Sequence, residues 1–251
     1  MKTSQRGFAT LSSQDLSPDQ TDAELATRWQ RVVGRVRAAE QASARPSGCV
    51  SLLAVSKLQP AAAVRALRSH GQRAFGENYV QEALAKMAEL DDLDIEWHLI
   101  GPLQSNKTRE VATHFHWVHS LDRLKIAQRL SAQRPAGSPP LQVCLQVNID
   151  DEDSKSGCSL SELPALAEAV AGLPGLRLRG LMTIPRPGNA RALADLAKTH
   201  ADLLARLPAV TTQYFDTLSM GMSDDLAEAV AAGSTLVRVG TAIFGARPAR
   251  S

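Results

Sequence analysis

The stretch VSLLAVSKLQ, residues 50–59, decides the fold. It opens as a β-prone apolar run, and an open doubly wound sheet would follow its first such run with a glycine-rich phosphate turn. Here Val55 leads instead into Ser56, Lys57, Leu58 and Gln59, and neither G-x-G-x-x-G nor G-x-x-x-x-G-K-[ST] occurs anywhere in the chain. Both common kinds of nucleotide fold thus lose their main support. Working outward, seven further short runs alternate with helix-length segments: 73–75, 96–99, 117–119, 141–147, 178–181, 217–219 and 236–239. Strands separated by helices call for right-handed parallel β-α-β units, and eight of them predict a closed (β/α)₈ TIM barrel. The 251 residues suit one such barrel. Before it, Leu25, Trp29, Val32, Val33 and Val36 recur at helical spacing, which predicts an additional N-terminal helix over 22–44. Residues 1–21 are expected to form a flexible tail, and 22–251 the barrel domain.

Composition narrows the function classes. The 44% hydrophobic and 22% charged residues belong to an ordinary globular protein. The net charge of +2 is spread along the chain without a basic stripe, so neither nucleic acid nor an anionic membrane is expected as a partner. No apolar run approaches the roughly 18 residues of a membrane span, and residues 1–20 lack the apolar stretch of a secretory signal. The first residues, with Lys2, Arg6 and several hydroxyls, faintly resemble an organellar transit peptide, but a polar tail is the simpler reading. Cys49, Cys144 and Cys158 are odd in number and have no C-x-x-C spacing, which reads as reduced thiols and a cytoplasmic location.

In a barrel the working face lies at the C-terminal ends of the strands. Polar and glycine residues collect there: Ser56 and Lys57, then Gly76 to Asn78, Gly101, Asn148, Met220 to Ser223, and Gly240 with Thr241. Strand alternation puts Leu53, Val55 and Lys57 on one side. An ammonium drawn toward an apolar interior has its charged form disfavoured, which frees the amine to attack a carbonyl, as a Schiff-base lysine must. A lysine that snorkels to water is the competing reading. Arg238 shares its side with Leu236 and Gly240, so a guanidinium enters the barrel and needs a fixed acceptor, either a protein carboxylate or a ligand atom. Ser223 precedes an expected helix start, and Gly240 and Thr241 end the last strand, which together suit an anion. Simple helix capping by Ser223 would explain the first of these without any ligand, and Asp224 and Asp225 oppose an anion unless they face away. His114, His116 and His119 surround Trp117 but lack a partner at zinc-ligand spacing. His98 reads as a satisfied core histidine or a group behind a site, and Lys155 as a solvated charge.

Seven ordered strings then carry a family resemblance: LLAVSK (52–57), FGENYVQEA (75–83), WHLIGPLQSNK (97–107), VNIDDEDSKSG (147–157), RGLMTIP (179–185), LSMGMSDD (218–225) and GSTLVRVGTAIFGAR (233–247). They resemble the pyridoxal phosphate homeostasis protein family from about Asp22 to Arg247. The resemblance implies an alanine-racemase-like, fold-type III barrel that binds pyridoxal 5'-phosphate as a Schiff base on Lys57. It also implies that Ser223, Gly240 and Thr241 hold the phosphate, that Arg238 faces the pyridine nitrogen, and that Asn78 and His98 lie around the cofactor. Leu58 departs from the family, where polar residues are common.

The function so implied is buffering and delivery of the cofactor, maintaining vitamin B6 and amino-acid homeostasis without turnover, in a monomer whose partners include pyridoxal-phosphate-dependent apo-enzymes. A racemase-like enzyme is the alternative, and a cofactor-free Schiff-base aldolase a third. Racemases of this fold resemble one another in taking a second base, a tyrosine, from an additional β domain. The sequence ends at Ser251, soon after the last strand, and holds only Tyr79 and Tyr214, so no second base is expected. Lys155 is a further expectation, as a transient acceptor of the cofactor.

Overall fold

The computed structural model describes residues 18–152 and 156–245. Eight parallel strands close into one barrel in chain order: β1 (Ser51–Val55), β2 (Ala74–Glu77), β3 (Glu96–Leu99), β4 (Trp117–Leu121), β5 (Leu141–Gln146), β6 (Leu176–Met182), β7 (Thr217–Ser219) and β8 (Leu236–Val239). The helices are α1 (Pro18–Ala42), α2 (Ala61–Ser69), α3 (Val80–Glu89), α4 (Thr108–His114), α5 (Leu124–Gln133), α6 (Leu163–Ala171), α7 (Ala190–Leu204), α8 (Ala209–Thr212), α9 (Leu226–Ala231) and α10 (Thr241–Phe244). All eight expected strands are present, some of them longer than their most β-prone residues. The N-terminal helix begins at Pro18, so the last residues of the expected tail are helical. Residues 1–17, and Lys155 with its expected role, lie outside the described residues.

A layer of aliphatic residues between strands and helices holds the barrel together, among them Val64, Leu67, Ala83, Val111, Leu130, Leu163, Leu196 and Val230, all essentially inaccessible. Burial on this scale supplies the dominant stabilisation, at roughly 25 cal/mol per Å² of apolar surface. The first and last strands close the barrel through four register pairs, from Ser51 with Leu236 to Ala54 with Val239. Helix α1 lies outside this seam, against α2, α9 and α10.

A register irregularity between β5 and β6 pairs Val143 with Leu178 but Cys144 with Gly180, leaving Arg179 as the extra residue of a bulge. Gly180 follows at φ 154°, and a Cβ there would stand 1.8 Å from the Thr217 carbonyl oxygen. Only a residue without a Cβ lets β7 pair at this point. All three cysteines are free thiols, and burial pushes those of Cys144 and Cys158 up to about 12, which leaves them unreactive. No helix among the described residues is long and apolar enough to cross a membrane.

Gly180→Ala should therefore force β6 and β7 apart and cost roughly 3 kcal/mol, read as a lower urea midpoint at unchanged m-value.

Candidate functional site

Lys57 stands on a turn at the C-terminal end of β1 that is fixed from several directions. The Gln59 N–H donates to the Ser56 carbonyl (3.0 Å), and Leu58 between them takes φ 62°, a left-handed conformation that a leucine adopts only when its surroundings impose it. Those surroundings are ionic. Lys86 Nζ donates to the Ser56 carbonyl (2.6 Å), to Glu77 Oε1 (2.8 Å) and to Glu82 Oε1 (2.7 Å). Ser56 Oγ donates to Glu77 Oε1 (2.6 Å), and the Leu58 N–H donates to Glu82 Oε1 (2.5 Å). Burial raises the Glu77 carboxyl even though Lys86 and Ser56 act against it, and its Oε2 has no partner. A buried charge cluster thus clamps both residues that flank Lys57.

Above this turn lies a cavity of about 430 Å³ at the C-terminal mouth of the barrel. Six of the seven residues singled out in the sequence line it: Lys57, Asn78, Ser223, Arg238, Gly240 and Thr241. Val55 lines it as well, as the alternation along β1 requires. Asn78 Oδ1 is buried and unpartnered, an acceptor waiting for a donor. The backbone of Asn78 is crowded by Gly101, where a Cβ would come within 2.3 Å of the Asn78 carbonyl oxygen. At the other wall α10 starts on Gly240, and the N–H groups of a helix's first turn have no acceptor within the helix.

Two alternatives left open by the sequence fall away, and one expectation needs correction. Ser223 does not cap a helix: α9 starts after Asp225, whose carboxylate turns back to accept the Met222 N–H (2.6 Å). Asp225 is thereby drawn off the cavity, whereas Asp224 stays on its wall. Among the described residues Arg238 has no carboxylate partner. Nη1 donates to the Ser219 carbonyl (2.5 Å) and Ser219 Oγ (2.9 Å), and Nη2 to the Thr183 carbonyl (2.8 Å). With neutral partners only, burial pushes this guanidinium down to about 10. His98 does not join the cavity at all. It is 1% exposed, stacks on Trp117 with ring centroids 5.3 Å apart, and lines a separate cavity of about 310 Å³ at the opposite mouth. Of the neighbouring histidines, His119 points into the barrel toward His98, and His116 Nδ1 accepts the Trp97 N–H (3.0 Å). No group of three or more potential metal ligands occurs among the described residues.

Some participants escaped the sequence reading. Gln59, Ile100, Ile184 and Met222 line the cavity, Ile184 and Met222 as exposed apolar residues at its rim. Helix α1 reaches the segments that follow β7 and β8 from outside: Arg35 Nη2 donates to the Ser223 carbonyl (2.7 Å) and Arg28 Nε to the Ile243 carbonyl (2.8 Å). Nothing in the helix periodicity distinguishes these arginines from solvated ones.

A lysine on the turn after β1, a buried arginine on β8 and a glycine–threonine helix start sit in a barrel of the alanine racemase N-terminal domain class, and the model of that domain matches residues 28–248. Alanine racemases themselves share only this fold; that of Corynebacterium glutamicum is 16% identical with a TM-score of 0.64, and the chain covers 62% of it. The pyridoxal phosphate homeostasis proteins of Pseudomonas aeruginosa and Escherichia coli K12 are 60% and 51% identical over 226 and 232 residues, 89% of this chain in each case and 96% and 97% of theirs. PipY of Synechococcus elongatus, solved with PLP bound, is 38% identical with a TM-score of 0.75 over 88% of this chain and 100% of its own. The chain belongs to the pyridoxal phosphate homeostasis protein family.

Lys86→Met should strand Glu77 and Glu82 and lower stability by about 3–5 kcal/mol, measured by urea unfolding. Burial also lowers the pKa of His98 and, further, of His119. The stability gained by keeping them neutral is complete above the unfolded value of about 6.5 and drains as pH falls toward the folded values, by up to about 1.4 kcal/mol per unit per histidine. Unfolding free energy should thus fall less steeply from pH 6.5 to 5 in His119→Gln than in the unmodified protein.

Proposed function

We propose that this protein binds pyridoxal 5'-phosphate in the Lys57 cavity and buffers and delivers it, serving vitamin B6 and amino-acid homeostasis in the cytoplasm without turnover. The observation that carries this reading is the convergence of Lys57, Asn78, Ser223, Arg238, Gly240 and Thr241 on one cavity. The residues fit the group. Lys57 supplies the amine for the aldehyde, the hydroxyls of Ser223 and Thr241 with the N–H groups around Gly240 suit the phosphate, and the unpartnered Asn78 Oδ1 offers an acceptor. The names of the relatives and the PLP-bound PipY structure support the same ligand.

Bound pyridoxal phosphate supplies an electron sink whose strength depends on protonation of its ring nitrogen. Arg238, a buried cation whose terminal nitrogens only donate, disfavours that proton and favours holding the cofactor over activating it. A two-base enzyme would also need an acid–base group facing Lys57. Tyr214 lies at the other mouth, where its carbonyl accepts from Arg179 Nε (3.0 Å), and Tyr79 is exposed and off the cavity wall. Carriage by a monomer that hands the cofactor to apo-enzymes completes the reading, the apolar rim of Ile184 and Met222 being open to a partner.

Purified protein incubated with pyridoxal phosphate should gain a visible absorption band, and borohydride should fix a pyridoxyl group on Lys57. Lys57→Ala should show neither, and a colourless unmodified protein would overturn the proposal. Incubating the loaded protein with L- and D-alanine should leave each enantiomer unchanged by chiral chromatography. Turnover there would replace the carrier with a racemase.

A further inference from the structure

The interior of the barrel carries a polar chain that the site above does not account for. Glu96 Oε1 lies 2.7 Å from His98 Nε2, His98 Nδ1 lies 2.9 Å from His119 Nε2, and His119 Nδ1 lies 2.8 Å from Ser219 Oγ. Ser219 Oγ in turn accepts from Arg238 Nη1 at 2.9 Å. The chain runs from a carboxylate at one mouth of the barrel to the guanidinium at the other. Its interior members are closed to water: His98 is 1% exposed, and His119 and Ser219 are 0% exposed. The Glu96 side chain is 47% exposed, so the chain meets solvent at this end.

The chemistry of the two ends fixes every hydrogen between them. An ionised Glu96 can only accept, so His98 donates through Nε2. A neutral imidazole has one N–H, so His98 Nδ1 accepts and His119 donates through Nε2. His119 Nδ1 must then accept the Ser219 hydroxyl hydrogen, which leaves the Ser219 oxygen free to accept from Arg238. Burial holds both imidazoles neutral by lowering their pKa values, and the His98 hydrogen bond lowers that of Glu96. All four hydrogen bonds therefore point one way, an arrangement in which each polarises the next.

We propose that Glu96, His98, His119 and Ser219 are positioning residues, a one-directional hydrogen-bond relay that holds the Arg238 guanidinium against the Lys57 cavity and makes its environment sensitive to a proton at the opposite mouth. This rests on the pyridoxal phosphate reading of that cavity. One proton taken from solvent onto His98 makes both its nitrogens donors. His119 must then accept at Nε2 and donate at Nδ1, and the Ser219 hydroxyl loses its acceptor while still receiving Arg238. Other titratable and charged groups bear on the relay. Arg73 and His116 face Glu96, His116 also faces His98, and Asp225 and Cys144 act on Arg238. The Arg179–Asp216 ion pair lines the same mouth as Glu96.

The first test needs no cofactor. Long-range ¹H–¹⁵N NMR of the apo protein labelled in histidine should show His98 and His119 both as neutral Nε2–H tautomers at pH 7.5. An Nδ1–H tautomer or an imidazolium at either position would overturn the relay. The second test titrates pyridoxal phosphate by absorbance and follows the visible band from pH 8 to 5. His119→Leu and Ser219→Ala should bind about tenfold more weakly, as expected for losing a hydrogen bond that serves a charged group. His119→Gln, which keeps one acceptor and one donor, should recover most of that loss. Glu96→Gln, altered at the solvent-exposed end, should stay folded and shift the pH profile of the band. Unmodified protein that fails to bind would defeat the pyridoxal phosphate reading and leave the NMR result to stand alone. Unmodified protein that binds, with a Glu96→Gln profile superimposed on its own, would overturn the relay, even where His119→Leu fails to fold.

Discussion

The pairing of β1 with β8 is the constraint on which the rest depends. Four register pairs join the two ends of the described chain, with Leu53 directly across from Arg238. This seam brings Lys57, at the end of the first strand, beside Gly240 and Thr241, at the end of the last. The approach is close: a Cβ on Gly240 would sit 3.1 Å from the Val55 carbonyl oxygen. Contacts so distant in sequence are slow to form because loop closure precedes their reward. The aliphatic shell beneath the helices and the clasp of α1 over the seam offset that entropy. The site is thus a by-product of closure, since Lys57 and Arg238 meet only because the seam pairs β1 with β8.

The turn that carries Lys57 shows a second dependence. A left-handed Leu58 is strained, and the strain persists because Lys86 and two glutamates over-determine the backbone on both sides of the lysine. Such a buried cluster is weak evidence for stability, since desolvation of its charges offsets much of their attraction. Its clearer effect is orientation. The lysine is presented on a rigid corner, with its neighbours' polar groups already committed elsewhere.

Periodicity made most of this architecture legible. Short β-prone runs separated by helical ones gave the barrel, and alternation along β1 and β8 correctly turned Val55, Lys57 and Arg238 inward. Alternation says which side of a sheet a residue faces, but not how high it stands in the barrel. That height depends on strand stagger and on register shifts such as those between β4 and β5 and between β5 and β6, which no local pattern encodes. His98 is the case in point: interior as alternation requires, yet placed in the layer nearer the other mouth. The acceptors of Arg238 were hidden for a related reason. Two are backbone carbonyls and one is the serine of a neighbouring strand, and carbonyls leave no trace in residue identity. The helix start expected at Ser223 came from a polar residue before acids, whereas α9 begins after Asp225, which closes a turn behind itself.

The arginine gives the sharpest argument about what the barrel is for. A buried guanidinium cannot shed its charge at neutral pH even at about 10, and its hydrogen-bond partners among the described residues are all neutral oxygens. A well-packed hydrophobic residue in its place would often be as stable or more so. A cation so placed stabilises little by itself, so its reason lies in what occupies the cavity beside it. If that occupant is the proposed cofactor, a donor-only, permanently charged group on the cavity wall would favour an unprotonated ring nitrogen. On that reading the positive charge would stay on the protein, where Ser219 Oγ accepts from Arg238 Nη1 at 2.9 Å. On the proposed reading of the cavity, such an arrangement favours holding a cofactor over activating it.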